Sequence, residues 1–254
     1  MSRLKQALRK LLPLAFWLLV WAVCARAVGK DLLLAPPSQV LRRFSFVGEA
    51  SFWHTVGMSL WRTALAYGIG VALACVLAVL CRLTRWLDDL VAPALSVIRA
   101  TPVASFIILA LVWLNSSNVP ILAGVLMVLP VVYASAREGI DSADRNLLEM
   151  ARMFGWSRGK TWLRVILPSA LPPVLAACEA CVGLCFKAAI AAEVIGTPKN
   201  AIGTRLYSAK IYLETDALLA WTLVVILLSI TLEKLLRLLI RRLLKGRLSH
   251  VHHA

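Results

Sequence analysis

Six apolar runs occupy about half of the chain, at about 11–28, 55–81, 91–114, 119–135, 168–192 and 217–232. Several approach 20 residues with one charge or none. A helix of about 20 apolar residues crosses the ~30 Å of a bilayer's hydrocarbon. A soluble domain of 254 residues, whose exterior must face water, has no use for 60% hydrophobic residues and only 16% charged ones. The alternating short segments of an outer-membrane barrel are absent. The pattern predicts an all-α, polytopic helical membrane protein with about six spans. The first run lacks a small-x-small cleavage site before Lys30, so it is expected to remain as a spanning helix.

A net charge of +15 raises the question of nucleic acid. The distribution of the basic residues answers it. Six spans put both termini on one side. That side holds eighteen Lys and Arg, the other side six, and four (Arg26, Arg62, Arg99 and Lys187) fall within spans. An excess on one side is the positive-inside signature of topology. Both termini and the polar stretch at 137–167 are therefore expected in the cytoplasm, and no nucleic-acid partner is needed.

The connections read as an outer loop at 29–51, a short charged loop at 82–90, a tight turn at 115–118 and a polar loop at 193–216. Within the outer loop, 37–46 is amphipathic and suits the membrane surface. Gly57, Gly68 and Gly70 in the second run let helices approach closely. The third run is interrupted by Arg99 and Pro102, the fourth contains Pro130, and Pro172 and Pro173 fall in the first turn of the fifth. Cys178, Cys181 and Cys185 share one helix face, and packing is expected of them rather than metal or redox chemistry. The tail with His250, His252 and His253 reads as a frayed end.

The stretch 149–168, EMARMFGWSRGKTWLRVILP, is polar and cationic where its surroundings are apolar. Asp141, Ser142 and Asp144 can cap a helix over 145–154. On that helix Leu147, Leu148, Met150, Ala151 and Phe154 form an apolar stripe. Gly155 permits a turn that a Cβ would hinder. A second amphipathic helix over 157–167 ends at Pro168. Two readings of this hairpin remain open: its apolar face docks in a partner's groove, or it packs beneath the bundle. Gly159-Lys160-Thr161 mimics the end of a phosphate-binding loop, but position 154, where that motif needs glycine, is Phe. No nucleotide site is complete, so ATP hydrolysis would belong to another chain.

Glu149-Met150-Ala151, three residues, Gly155, nine residues and Val165-Ile166-Leu167-Pro168 resemble the EAA signature of ABC importer permeases. Met150 and Val165 are mild departures from it. Segments 99–106 (RATPVASF), 186–196 (FKAAIAAEVIG) and 229–234 (SITLEK) are similar to the nitrate/sulfonate/taurine-type branch of that family. The resemblance implies a type I importer permease fold over a core at 55–245, with the coupling loop at 141–168, an N-terminal part at 1–54 and a tail at 246–254. It implies a bacterial inner-membrane location. Its partners would be ABC ATPase subunits that use ATP and Mg, a second permease chain (a homodimer), an extracytoplasmic solute-binding protein and the lipid bilayer. This chain would bind no cofactor and no metal and would not be an enzyme.

By the same resemblance the ATPase-coupling residues are Glu149, Met150, Ala151, Phe154, Gly155, Leu167 and Pro168, with Glu149 holding the loop's shape through a nearby Arg. Candidates for the translocation path are Arg99, Pro102, Lys187 and Glu193. Cationic Arg99 or Lys187 in a wet cavity favours a small anionic solute such as a sulfonate, taurine or nitrate; a vitamin-precursor or amino-acid-like solute is the alternative. Both cations have a structural reading as well, and Glu193 equally suits fixing a loop. A secondary transporter would show paired broken helices in two related halves. A membrane enzyme would need a nucleophile or metal cluster, and His54 stands alone.

Overall fold

The computed structural model describes residues 3–249, and among these every regular element is a helix. His250, His252 and His253 lie outside the described residues. The helices are α1 (Arg3–Val28), α2 (Pro37–Arg43), a 3-10 turn (Phe44–Gly48), α3 (Ala50–Leu83), α4 (Arg85–Ala100), α5 (Val103–Ala110) and α6 (Val119–Asp141). Then come α7 (Arg145–Met153), α8 (Arg158–Thr161), a π turn (Trp162–Ile166), α9 (Leu167–Gly196), α10 (Ile202–Ile211) and α11 (Thr215–Ser249). Three continuous helices are long and apolar enough to cross a membrane: Ala50–Leu83, Val119–Asp141 and Arg158–Gly196. The pair Trp86–Ala100 and Val103–Ala110, bent by 102°, makes a fourth. The expected first and last spans are helical too; the apolar part of α1 is short (Ala15–Val28), and α11 carries the run at 217–232.

The core is α6 held between α3 and α9. Ala66, Ala74 and Ala78 of α3 meet Val128, Val132 and Ala136 of α6, and Cys181 and Cys185 of α9 close the other side. These small side chains bring the backbones close, which is how apolar helices associate when lipid is as apolar as they are. At Gly124 a Cβ would lie 2.7 Å from Ala66 Cβ and 2.9 Å from Cys185 Sγ. Of the three glycines in α3, Gly70 packs against Val128, whereas Gly57 and Gly68 face open space.

Four connections differ from expectation. The charged stretch 82–90 is not a loop: Thr84 alone separates α3 from α4. Leu87, Val91, Leu95 and Ile98 recur at helical spacing and all pack on the core, so the stretch folds as the first half of an amphipathic helix. The third span breaks at Thr101–Pro102, as its proline suggests. Thr101 is extended (φ −86°, ψ 130°), the conformation a following proline enforces. Helix α6 runs on through Arg137 to Asp141. Pro168 does not stop the second amphipathic helix. Leu167 N–H reaches back five residues to the Trp162 carbonyl, and this wider π turn accommodates the proline ring that an α-turn would drive into the preceding turn. The polar loop at 193–216 contains α10, anchored by buried Ile202 and Ala209.

The connections divide between the two ends of the bundle. At one end the segment 29–54 is held to α11: Phe46 stacks on Trp221 (5.0 Å, 11°), and Arg43 pairs with Glu214 (2.9 Å) and Asp216 (3.5 Å). At the other end Arg82 pairs with Asp141 (3.1 Å) and Arg137 with Asp88 (2.9 Å), where α6 leads into α7.

Candidate functional site

Helix α7 is built by its two ends. The Asp144 carboxylate accepts from Asn146 N–H (2.9 Å) and caps the start. At the other end Trp156 N–H donates to the Ala151 carbonyl (2.9 Å) and Gly155 N–H to the Arg152 carbonyl (3.0 Å). Those two bonds make a Schellman termination, with Gly155 at φ +63°. A Cβ at Gly155 would meet nothing within 4 Å, so glycine is needed there for its conformation and not for space. Ala151 is buried and seats the helix against the bundle. Leu147, Met150, Met153 (87% exposed) and Phe154 (74% exposed) stand free. Of the expected stripe, then, Ala151 faces inward and Met150 and Phe154 face outward.

Glu149 departs from expectation. It is exposed and forms no ion pair or side-chain hydrogen bond among the described residues. The loop's shape comes from Asp144, the Schellman bonds and Ser157, whose hydroxyl accepts from Lys160 N–H (3.4 Å). Trp156 lies beneath two cations, with Lys160 Nζ 4.5 Å and Arg164 Cζ 5.8 Å from its ring. Leu167 and Pro168 are exposed on the continuing helix.

The intramembrane charges fall into two groups. Arg99, in the last turn of α4, is exposed and donates from Nη2 to the Pro130 carbonyl (2.6 Å). Pro102, also exposed, forms the break one residue beyond α4's C-cap. Lys187 stands on the open strip of α9 with Ala180 and Leu184, and has no acidic partner among the described residues. Glu193 is wholly enclosed (0% exposed). It accepts from Ser59 Oγ–H (2.8 Å), Arg62 Nη1 (3.2 Å) and Gly203 N–H (3.1 Å). Arg62 also donates to the carbonyls of Lys199 (3.1 Å) and Asn200 (3.3 Å), and Ser59 Oγ accepts from Ile202 N–H (3.0 Å). The group fixes the 197–203 turn, with left-handed Thr197 and Asn200, onto α3. The structure brings Arg99 and Pro102 together at the α4–α5 break and places Glu193 in this internal clamp instead.

Sequence reasoning missed Arg62 and Ser59 as Glu193's partners, and it missed Asp88, which also accepts from Tyr133 O–H (2.9 Å). Glu179 pairs with Arg237 of α11. The available signal was that a charge in a span needs a partner; Arg62 and Glu193 were the two to match. The Cys178, Cys181 and Cys185 face packs on α3, where Tyr67 O–H donates to the Cys178 carbonyl (2.9 Å). A recess of about 500 Å³ opens among Arg43, Glu49, Arg205, Tyr212 and Trp221, and includes none of the candidate path residues.

Residues 67–245 match the family described as binding-protein-dependent transport system inner membrane component. The chain belongs to this family. As such a permease subunit of an ABC importer, it is a transport component and not an enzyme. The permease is 29% identical over 245 residues to the putative aliphatic sulfonates transport permease protein SsuC of Escherichia coli (strain K12), covering 91% of this chain and 92% of that one. It is 28% identical over 230 residues to the taurine transport system permease protein TauC of the same organism (88% and 83% covered). A solved structure titled as an amino acid ABC transporter with histidines superposes with a TM-score of 0.62 at 22% identity, covering 73% of this chain and 90% of that one, which shows a shared fold. The matched range contains α7, Arg99, Lys187 and Glu193, whereas Ser59 and Arg62 of the clamp precede it.

Proposed function

We propose that this permease forms, with a second copy of itself, the path for a small anionic solute of the sulfonate or taurine type. ABC ATPase subunits drive it with ATP and Mg, and an extracytoplasmic binding protein delivers the solute. The observation that carries the reading is the free face of α7: Leu147, Met150, Met153 and Phe154 project from a rigidly terminated helix and stand exposed among the described residues. Four adjacent exposed apolar side chains on one short helix suit a partner's groove. The helix leads back through Asp141 and Arg82 to α6 and α3, so a displacement of α7 reaches the spanning helices directly.

The relatives transport sulfonates and taurine by name, and the open cations Arg99 and Lys187 suit a solute with a negative group. A lysine facing lipid at mid-bilayer costs about 2.5–3.5 kcal/mol, so the bare strip of α9 belongs against the second copy or the aqueous path. The test is co-purification with the ATPase and uptake of radiolabelled sulfonate. M153S/F154S loses ATPase association while the chain still inserts. R99A and K187Q keep the association and lose uptake by about tenfold or more, the size of one charge-assisted hydrogen bond. Unchanged association in M153S/F154S sinks the coupling assignment. Unchanged uptake in both R99A and K187Q removes them from the path.

A further inference from the structure

Beyond α7, the hairpin's second limb presents a different surface. Arg158, Lys160 and Arg164 are exposed, and none is ion-paired among the described residues. Lys160 and Arg164, one turn apart, are both held over the Trp156 ring (4.5 and 5.8 Å). Two like charges placed side by side repel by default. The shared indole face holds them side by side as a preorganised pair. Beside this cationic row runs an exposed leucine row, Leu163 and Leu167, each about 4.5 Å further along the axis than its neighbouring cation. The helix that carries both rows continues unbroken as the span Arg158–Gly196.

We infer that Lys160 and Arg164, backed by Trp156, form a binding site for the phosphate of an anionic phospholipid. The leucine row marks where hydrocarbon begins. The cations stand within one turn of it, at headgroup depth, and an amphipathic indole beneath them is the side chain that favours that depth. A groove on a soluble partner would not need leucines continuous with a lipid-facing helix. The site divides the hairpin into two jobs: α7 meets protein, and the α8–α9 junction grips the leaflet that α7 emerges from. Its assignment to the inner leaflet rests on the cytoplasmic placement proposed above.

The test is lipid retention by the full chain, purified in detergent and read by native mass spectrometry after exposure to phosphatidylglycerol or phosphatidylcholine. The wild type retains phosphatidylglycerol preferentially. K160Q/R164Q loses that preference by about 30-fold, about fivefold for each cation. K160R keeps it, and so does the control R241Q/R242Q on α11. Equal retention by the wild type and K160Q/R164Q overturns the site, as does an equal loss in the control. Displacement of phosphatidylglycerol by millimolar inorganic phosphate makes it a soluble-phosphate site and overturns the lipid assignment. Loss of ATPase co-purification with unchanged lipid retention gives the cations to the protein partner instead. Labelling of S157C in intact and inverted vesicles reports the placement separately. Labelling from the outer side alone overturns the inner-leaflet assignment, whatever the lipid retention.

Discussion

Arg62 and Glu193 show what one buried ion pair does for a helical bundle. Their side chains are 6% and 1% exposed, yet both are well supplied with partners: besides their mutual contact, Glu193 accepts from Ser59 and Gly203, and Arg62 donates to the carbonyls of Lys199 and Asn200. Removing one member leaves the other buried and charged, which costs about 3–5 kcal/mol, whereas replacing both with apolar groups is often close to neutral. E193A and R62A are therefore each expected to lower the thermal unfolding midpoint in detergent, and R62M/E193M to recover a large part of the loss. A strictly additive double variant would mean that the two groups do not act as a pair. Neither residue has a local sequence signal for the other, because 131 positions separate them. Only the rule that a charge in a span needs a partner points to the match, and it does not say which partner.

At the scale of elements, Gly155 decides where α7 ends. Since a Cβ there has open space, substitution acts through φ alone. G155N tolerates the left-handed region and is expected to keep most of the uptake; G155V, β-branched and strained there by about 1–3 kcal/mol, is expected to lose most of it while still inserting. Equal uptake by G155N and G155V would show that the Schellman turn is not needed for coupling. Helix α7 was legible because cap, stripe and glycine agreed: Asp144, the 147–154 periodicity and Gly155 marked a helix over 145–154, within one residue of Arg145–Met153. Elsewhere single signals misled. The charges at Arg82, Asp88 and Asp89 suggested a loop and hid the Leu87–Val91–Leu95–Ile98 stripe that makes α4 a helix. Pro168 looked like a stop because a proline was read as ending the helix, without the π turn that accommodates its ring. Ile202 and Ala209 were too short a pattern among polar neighbours to announce α10.

For the whole molecule, ion pairs sort the connections into two sets at opposite ends of the bundle, and the basic residues are divided unequally between them. Arg82–Asp141 and Arg137–Asp88 mark the end that carries α7. Arg43–Glu214 marks the end that carries α10. Under the proposed topology, the charge asymmetry of eighteen against six would orient the first end toward the cytoplasm. Cysteine labelling checks both statements at once, because Ser142 belongs to the first end and Ser208 to the second. The background is favourable: Cys181 and Cys185 are enclosed in the core, so replacing exposed Cys24 and half-buried Cys75 removes the native thiols that a polar reagent reaches most readily. S142C is expected to react only in inverted vesicles and S208C only in intact spheroplasts. Labelling of both from the same side would contradict the bundle itself. Labelling from opposite sides in the reversed sense would leave the fold intact but carry α7 away from the compartment that holds ATP, and the coupling assignment would fall with it.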